Sequence, residues 1–353
     1  MSLSLASAPL LAASVNGKAW QDPLDTPSVQ SPLAASTQLL SVAKAGKRLV
    51  VVGWRGHILI SDDDGQHWHQ SRSPVSVDLT MVDFTSDRRG WAVGHGGVLL
   101  RTDDAGASWT VVLDGRSSSK PIRTHYSELL AADMQAVRGQ VQAALDAFGT
   151  NGEQPWLGVR FLDKDNGWVF GPFGLLMETR NGGETWTPVI ELVDNPDGLH
   201  LTGMTFIDGA VFIASEQGIV FRRRSGEKRF TALRTGYAGT YFGVLGVQRD
   251  LYAYGLRGTI YRSKDAGGTW QKVQSDSTQS ITGGTSLPDG RVVFTTQAGE
   301  ILLALPEDDR LSRISGARSF PLAGLVATES GAILTVGQGG TAITSVPARR
   351  SVP

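Results

Sequence analysis

The chain contains no cysteine, and it has neither a charge excess of one sign nor a long hydrophobic run. The missing thiols exclude disulfides, thiolate catalysis and cysteine-based zinc sites. Because 33 basic residues balance 34 acidic ones, no overall field recruits nucleic acid or an anionic surface. No stretch reaches the roughly 18 consecutive apolar residues of a membrane-spanning helix, so no transmembrane segment is predicted.

Glycine, by contrast, is abundant, with 43 in 353 residues against roughly 7% in an average chain. Many of these glycines belong to a repeated phrase of a small residue, two variable residues, Gly and an apolar run, as in "GWRGHILIS" from Gly53. Its second small position falls at Gly56, Gly97, Gly174, Gly218, Gly258, Gly299 and Gly340. The steps are 41, 77, 44, 40, 41 and 41 residues, which indicates seven units and one extra stretch after the second.

Each unit contains four short β-rich runs separated by turn residues, such as "LTMVDF", "GWAVG", "GVLLRT" and "SWTVVL" in the second. Four strands in about 40 to 45 residues is the repeat of a β-propeller blade. One such sheet cannot bury its faces alone, whereas a closed ring of them can. A β-solenoid, the alternative, has shorter repeats. The predicted fold is therefore an all-β, seven-bladed β-propeller.

A second phrase ends on tryptophan in four units: "ISDDDGQHW", "RTDDAGASW", "ETRNGGETW" and "RSKDAGGTW". It matches the Asp-box of BNR-repeat propellers, at the turn from the third strand to the fourth. Its hydroxyl and carbonyl-type oxygens accept backbone N–H groups, its glycine takes a positive φ, and its tryptophan packs on the blade. These side chains are therefore predicted to be structural rather than catalytic. They are Ser61, Asp63, Gly65, Trp68, Thr102, Asp104, Gly106, Trp109, Thr179, Asn181, Gly183, Trp186, Ser263, Asp265, Gly267 and Trp270.

The propeller is predicted to occupy residues 19–346 as a single domain, with a leader at 1–18 and a tail at 347–353. The leader is apolar and rich in small residues but lacks the basic start of a signal peptide. A trimmed export signal and a plain disordered terminus both stay open. Trp20, in "AWQDPL", stands where the Asp-box tryptophans precede their fourth strands. We therefore expect the segment near residue 20 to close the seventh blade as its outer strand.

The extra stretch, at about residues 115–155, lies between the second and third units. Its apolar residues Leu130, Met134, Val137, Val141, Ala144 and Phe148 follow a helical period. One amphipathic helix is predicted from about Thr124 to Phe148. We expect its apolar stripe to pack on the propeller rim. The alternative is a partner-docking element or lid, because insertions in repeat proteins often decorate the binding face.

One face of the propeller is predicted to carry the turns between second and third strands together with the connections between blades. The Asp-box turns lie on the opposite face. Side chains from several blades converge around the channel mouth on the first face, which makes it a candidate binding site. A hydrated, unused mouth is the alternative. The candidate binding residues are Arg55, His95, Phe173, Glu216, Arg234, Tyr237, Tyr241 and Arg257.

The segment "FRRRSGEKRF" places positive charge where the fourth unit would have its Asp-box. Its candidate docking residues are Arg222, Arg223, Arg224, Lys228 and Arg229. A solvated surface is the alternative. Docking through these charges would weaken as the salt concentration rises, because salt screens exposed charges. In physiological buffer the screening length is about 8 Å.

No cofactor and no metal site are predicted. The acidic runs "SDDDG" from Ser61 and "DKDNG" from Asp163 lack the spacing and the closing Glu of a calcium loop. His67 and His69 lie two apart, but no third ligand accompanies them.

With "GWAVGHGGVLLRTDDAGASW" and "GWVFGPFGLLMETRNGGETW", the chain resembles the photosystem II stability/assembly factor-like propellers over nearly all of residues 35 to 345. The resemblance implies a non-enzymatic propeller, exported to a lumen or periplasm. It also implies that a protein partner is bound and that a membrane protein complex is helped to assemble. The chain is expected to be monomeric and to bind no nucleic acid. The insertion departs from the family pattern.

A sialidase-like or other glycoside hydrolase, with its site at the channel mouth, is the alternative function. Arg55, Arg234 and Arg257 could hold a carboxylate, with Tyr241 as nucleophile and Glu216 assisting. The Arg-Ile-Pro signature of sialidases is absent, however, and those enzymes have six blades. No suitable acid/base Asp falls on this face, so we predict that the protein is not an enzyme.

Overall fold

The computed structural model describes residues 20–131, 137–149, 152–314 and 320–348. The predicted leader at 1–18 lies outside the described residues, as does most of the predicted tail. Seven antiparallel sheets follow one another along the chain, and each pairs its strands in chain order. The first strand of every sheet packs on the first strand of the next, and the last sheet packs on the first. The predicted seven-bladed β-propeller is therefore confirmed.

The first four blades each contain four strands. Blade one has β1 Leu39–Ala45, β2 Arg48–Gly53, β3 Ile58–Ser61 and β4 His69–Ser71. Blade two has β5 Leu79–Phe84, β6 Gly90–Gly94, β7 Leu99–Thr102 and β8 Thr110–Leu113. Blade three has β9 Gly158–Phe161, β10 Gly167–Phe170, β11 Leu176–Thr179 and β12 Thr187–Pro188. Blade four has β13 Gly203–Ile207, β14 Ala210–Ala214, β15 Ile219–Arg223 and β16 Thr231–Arg234.

The remaining blades differ in their strand number. Blade five has β17 Tyr241–Val247, β18 Asp250–Gly255, β19 Ile260–Ser263 and β20 Gln271–Lys272. Blade six has β21 Ile281–Ser286, β22 Val292–Thr296, β23 Ile301–Ala304 and β24 Leu311–Arg313. Blade seven has three strands in the described residues, β25 Leu322–Ala327, β26 Ile333–Gly337 and β27 Gly340–Thr344. Between blades two and three lie the helices α1 Gly115–Ala131 and α2 Arg138–Phe148.

Threonine hydroxyls near the start of the inner strands link neighbouring blades. Thr80 donates to the carbonyl of Trp156 at 2.7 Å, which ties blade two to blade three. Equivalent bonds join Thr202 to the Tyr241 carbonyl at 2.8 Å and Thr282 to the Leu322 carbonyl at 2.7 Å. Between the blades, buried apolar side chains form the core. The ring is thus held by inter-blade packing and by hydrogen bonds close to its axis.

Glycine is required at the repeated turn because two backbones approach each other closely there. At Gly218, φ is +68°, and a Cβ atom would lie 1.9 Å from the Tyr237 carbonyl oxygen. At Gly258, the corresponding distance to the Ser277 carbonyl oxygen is 2.0 Å. In each case the carbonyl belongs to the connection that leads to the next blade. Only glycine therefore lets the turn and the connection pack directly on each other.

The insertion forms two helices rather than the single helix predicted from about Thr124 to Phe148. Asp114 caps the first one, because its Oδ1 accepts the Ser117 N–H at 2.7 Å, so α1 begins well before Thr124. Arg138, at the start of α2, donates to the Leu130 carbonyl near the end of α1. The two helices therefore run antiparallel. Each helix buries apolar residues at helical spacing. The sequence therefore showed one helical period that continued across both helices.

The apolar stripe packs on the propeller between blades two and three, but it contacts the channel-mouth turns His95–Gly97 and Pro172–Gly174 as well as the outer strand β12. Tyr126, Val141 and Phe148 are buried with Trp91 and Trp156 of the propeller. Met134, which belonged to the predicted stripe, lies outside the described residues. The Tyr126 hydroxyl accepts the Ile190 N–H at 2.8 Å, which fixes α1 to the connection after blade three.

The described part of the N-terminal segment, residues 20–36, does not complete the seventh blade. Trp20 is 82% exposed, and β27 has no strand on its outer side in the described part of the chain. Instead, the Ser28 N–H donates to the Ser73 carbonyl at 3.2 Å and the Ser31 N–H donates to Gln70 Oε1 at 2.8 Å. The segment therefore follows the outer edge of blade one, and the expected strand near residue 20 is wrong. Prolines at 23 and 27 cannot donate to a ladder, which disfavours a strand there.

Candidate functional site

The four Asp-boxes share one hydrogen-bond pattern at the turn from third to fourth strand. In blade two, the Thr102 hydroxyl donates to Asp104 at 2.8 Å and accepts the Gly106 N–H at 2.9 Å. Asp104 Oδ1 also accepts the Ser108 N–H at 2.9 Å. The same contacts recur around Asp63, Asn181 and Asp265. The acidic side chains are therefore occupied by their own turns.

These contacts favour the charged form of the aspartates. The backbone N–H and the imidazole of His67 hold the pKa of Asp63 far below its ordinary value. The backbone N–H and hydroxyl of Thr269 lower the pKa of Asp265 to about 2. A carboxylate with so low a pKa is a poor general acid at neutral pH. In blade three, Asn181 occupies the same place without any charge and accepts the Thr185 N–H at 3.0 Å.

The opposite face carries the predicted binding residues in separate groups rather than in one continuous cluster. Arg55 is exposed, and its backbone N–H donates to Asp78 Oδ1 at 2.8 Å. His95 is exposed on the next blade, where its backbone N–H donates to the Asp78 carbonyl. Arg234 and Arg257 are also exposed. Arg55 and Arg257 lie in turns between second and third strands, where their backbone φ angles are 55° and 57°.

Phe173 and Glu216 are brought together by His200, which is not among the predicted binding residues. The His200 N–H donates to Glu216 Oε2 at 2.8 Å. The Phe173 N–H donates to His200 Nδ1 at 3.3 Å, and the two rings lie 4.9 Å apart. Phe173 stays 36% exposed. His200 lies in a blade connection outside every repeated motif, so no sequence signal marked it.

Tyr237 and Tyr241 lie at the junction of blades four and five with Tyr261. The Tyr237 hydroxyl donates to the Leu256 carbonyl at 3.3 Å and the ring stays partly exposed. Tyr241 is fully buried, and its hydroxyl shares a hydrogen bond of 2.6 Å with Thr235. Burial raises the pKa of the Tyr241 phenol well above its ordinary value. The prediction that Tyr241 belongs to an accessible binding surface is therefore wrong.

The arginine-rich segment divides between structural and exposed positions. Arg222 and Arg223 are consecutive on β15, so their side chains leave opposite faces of the blade. Arg222 donates to the Ala266 carbonyl of blade five at 3.0 Å. Arg223 pairs with Glu178 of blade three at 2.7 Å and lies over Trp168. Arg223 is therefore not available for docking, contrary to the prediction.

The rest of the basic segment is exposed. Arg224, Lys228 and Arg229 lie at the turn between β15 and β16, on the Asp-box face. Glu227 pairs with Arg224 at 3.5 Å. Two of the three exposed positive charges therefore have no ion pair among the described residues.

A polar cavity of about 210 Å³ lies on the propeller axis, where the inner strands of all seven blades meet. Arg160 reaches it and pairs with Asp83 of the neighbouring blade at 2.9 Å. Burial raises the pKa of Asp83 in spite of that pairing. The described residues that line the cavity include no carboxylate. Nor does any cluster of three or more potential metal ligands occur among the described residues.

Similarity to known proteins was found at the levels of family, sequence and fold. The family described as photosynthesis system II assembly factor YCF48 matches residues 29–151 and 140–345. A photosystem II assembly lipoprotein Ycf48 from Synechococcus sp. (strain CC9902) is 25% identical over 228 residues, which is 63% of this chain. The match spans 57% of the length of that relative.

Two solved structures share the fold. A YCF48 bound to D1 peptide superimposes with a TM-score of 0.63 at 15% identity, covering 93% of this chain and 98% of the other. YCF48 from Cyanidioschyzon merolae gives a TM-score of 0.65 at 16% identity, covering 90% of this chain and 98% of the other. No helix in the described part of the chain is long and apolar enough to cross a bilayer. Because the family match runs from the first blade to the last, the chain belongs to the photosystem II assembly factor YCF48 family.

Proposed function

We propose that the protein is an exported, non-catalytic scaffold that binds a protein partner and aids the assembly or stability of a membrane protein complex. The observation that carries the proposal is the family match over residues 29–151 and 140–345, which includes all seven blades. The lipoprotein relative supports export, and we propose the periplasm as the compartment. The identity of the complex does not follow from the names of the relatives.

The exposed residues of the channel-mouth face are the proposed partner surface. They combine cationic side chains at Arg55 and Arg257 with the half-exposed ring of Phe173. Aromatic and arginine side chains are enriched where proteins bind one another. The full proposed set is Arg55, His95, Phe173, Glu216, Arg234, Tyr237 and Arg257.

The exposed charges at the turn between β15 and β16 are proposed as a second, weaker docking element. Arg224, Lys228 and Arg229 lie on the opposite face from the channel mouth, so the two surfaces can be tested separately. Because the charges are exposed, their contribution should be electrostatic and salt-dependent.

The glycoside hydrolase alternative is disfavoured by the geometry. Its nucleophile, Tyr241, is buried against Thr235. Its assisting acid, Glu216, is bound to the His200 backbone. Retaining and inverting glycosidases generally need two carboxyl groups within about 5–10 Å of each other, and the described lining of the axial cavity offers none.

Affinity capture from detergent-solubilised membranes tests the proposal. Wild-type protein should recover the subunits of one membrane complex. Arg55→Glu with Arg257→Glu should reduce that recovery at least tenfold, and Arg224→Glu with Lys228→Glu and Arg229→Glu should reduce it less and only at low salt. The exposed Lys272 on the outer strand of blade five supplies the matched control, Lys272→Glu. Equal recovery by all variants would contradict the proposed surfaces, and turnover of aryl glycosides would contradict the scaffold function.

A further inference from the structure

The outer edge of blade seven differs from those of the other six blades. In those blades the edge strand has two to four residues, and four of the six carry His, Arg or Lys side chains. Of the other two, β12 contains a proline and β8 is interrupted by a register shift. Short strands, charges, prolines and irregularities are the means by which proteins keep sheet edges from pairing with other chains.

β27 has none of these protective features. It runs for five residues, Gly340–Thr344, with the sequence Gly-Thr-Ala-Ile-Thr and an uninterrupted register against β26. In the blades that have four strands, the third strand is covered on this side by the fourth. In the described part of the chain, the corresponding side of β27 is open.

The open side presents backbone groups at alternate residues. The Ala342 carbonyl is directed at β26, where the Thr335 hydroxyl donates to it at 3.2 Å. Because residues of an antiparallel strand alternate in direction, the N–H and C=O groups of Thr341 and Ile343 point away from β26. They form a ladder that an incoming extended chain would satisfy.

Apolar side chains lie beside this ladder. Ile343 is 41% exposed. The carbonyl of Ala35 lies directly over Gly340, the first residue of β27. Leu33, which immediately precedes the helical turn Ala34–Ser36 in contact with β27, is 68% exposed. An added strand would therefore have apolar contacts as well as hydrogen bonds.

The described chain leads away from this edge in both directions. Towards the N-terminus, Leu24 packs at Gly96 of blade two. Towards the C-terminus, Val346 packs in the core between blades six and seven, and the Pro347 carbonyl accepts a hydrogen bond from Arg291 of blade six. The segments that adjoin the blade are thus engaged elsewhere.

From these observations we propose that an extended segment of the protein partner adds to β27 as the fourth strand of blade seven. The inference rests on the proposed function, because it states how the partner is held. The segment is three or four residues long at the ladder, as the outer strands of blades one, two, four and six are. Its main chain supplies the affinity, and apolar side chains on its inner face lie towards Leu33 and Ile343.

Site-specific cross-linking tests the proposal, because a chain without cysteine accepts single thiols with no background. Ala342→Cys and Ile343→Cys, each labelled with a benzophenone maleimide, are irradiated with the solubilised membrane complex. Gln271→Cys on the edge of blade five is the matched control. We expect adducts from positions 342 and 343 at neighbouring residues of one partner segment, and none from position 271.

Every other result overturns the inference. Adducts to residues 1–19 would mean that the chain closes its own blade, and adducts between two copies of β27 would indicate self-association. If the complex is recovered without adducts, the proposed function stands and the strand addition fails. If no complex is recovered by wild type, both fail.

A backbone variant gives a second measure. Thr341→Pro removes one outward N–H while leaving the bonds to β26, since proline is tolerated on an edge strand. Thr341→Val keeps the N–H. We expect Thr341→Pro to reduce adducts from position 343 at least fivefold while the thermal melting curve matches that of Thr341→Val. If the proline variant melts earlier, adducts are compared at a temperature where both are folded, and equal yields would overturn the proposal.

Discussion

Arg223 of blade four and Glu178 of blade three form a buried ion pair, with 2.7 Å between Nη2 and Oε1. Their side chains are 11% and 6% exposed, and the guanidinium also lies over Trp168 and Phe230. The pair joins two blades that share no sheet. An arginine that the sequence placed among the docking residues is therefore buried in a contact between two blades.

Removing Glu178 should be costly. Glu178→Ala leaves the Arg223 charge buried without its partner, and we expect a loss of about 3–5 kcal/mol in the free energy of unfolding. Arg180 contacts the same carboxylate but is 72% exposed, so Arg180→Ala should cost about 0–1 kcal/mol. Guanidinium denaturation followed by tryptophan fluorescence measures both. If both variants lost the same free energy of unfolding, the buried pair would be no more important for stability than the exposed one.

The Asp-box of blade five should give a pH-dependent contribution to stability. The pKa of Asp265 is about 2 in the folded protein against 3.8 as its ordinary value. Its stabilising effect is thus present above about pH 4 and is lost as the pH falls through 2. We expect Asp265→Asn to lower Tm at pH 7 and to match wild type near pH 2. The reverse experiment is Asn181→Asp in blade three, where asparagine is the natural residue. If the difference in Tm between either variant and wild type did not depend on pH, the low pKa of the Asp-box carboxylate would be contradicted.

The glycine turns should tolerate no side chain where two backbones meet. Gly218→Ala places a Cβ 1.9 Å from the Tyr237 carbonyl oxygen, so we expect a loss well above the ~1–2 kcal/mol of a left-handed residue alone. Gly226 has a φ of +83° and nothing within 4 Å of its Cβ position. Gly226→Ala therefore measures the backbone cost by itself. Urea denaturation compares the two, and similar losses would refute the close-approach argument.

The docking of the helices depends on a buried tyrosine. The Tyr126 hydroxyl accepts the Ile190 N–H at 2.8 Å and lies 3.3 Å from Glu191 Oε2. Tyr126→Phe leaves that N–H without an acceptor, which should cost about 1–3 kcal/mol. The loss should appear as faster proteolysis of α1 and α2. Ser127→Ala, on the exposed side of the same helix, should change nothing, and identical cleavage of both variants would contradict this role.

The repeat period predicted the fold because it reports a requirement that every blade shares. Gly56, Gly218 and Gly258 recur since each turn must admit the backbone of the next connection. The Asp-box turns were predictable for the same reason, since their bonds are local. The sequence did not predict one feature of these turns. Asp64, Ala105 and Ala266, which precede the glycines, also adopt positive φ.

Contacts between distant segments could not be derived in this way. Whether Arg223 or Arg224 is exposed depends on which face of β15 meets blade three. The burial of Tyr241 depends on Thr235 and on the neighbouring ring of Tyr261. His200 gains its place from Phe173 and Glu216 on two different blades. The course of residues 20–36 depends on polar partners in blade one, and the helical period did not show where the insertion turns back.

The way in which the ring closes has a mechanical consequence. Blades seven and one are joined by packing of β25 on β1, by the ion pair between Lys44 and Glu329, and by two backbone N–H groups that donate to Asp64 at 3.0 Å. In the described residues, no strand of one blade is woven into the sheet of the other. Within the described residues, opening this seam would therefore break packing and a few polar contacts but no strand pairing.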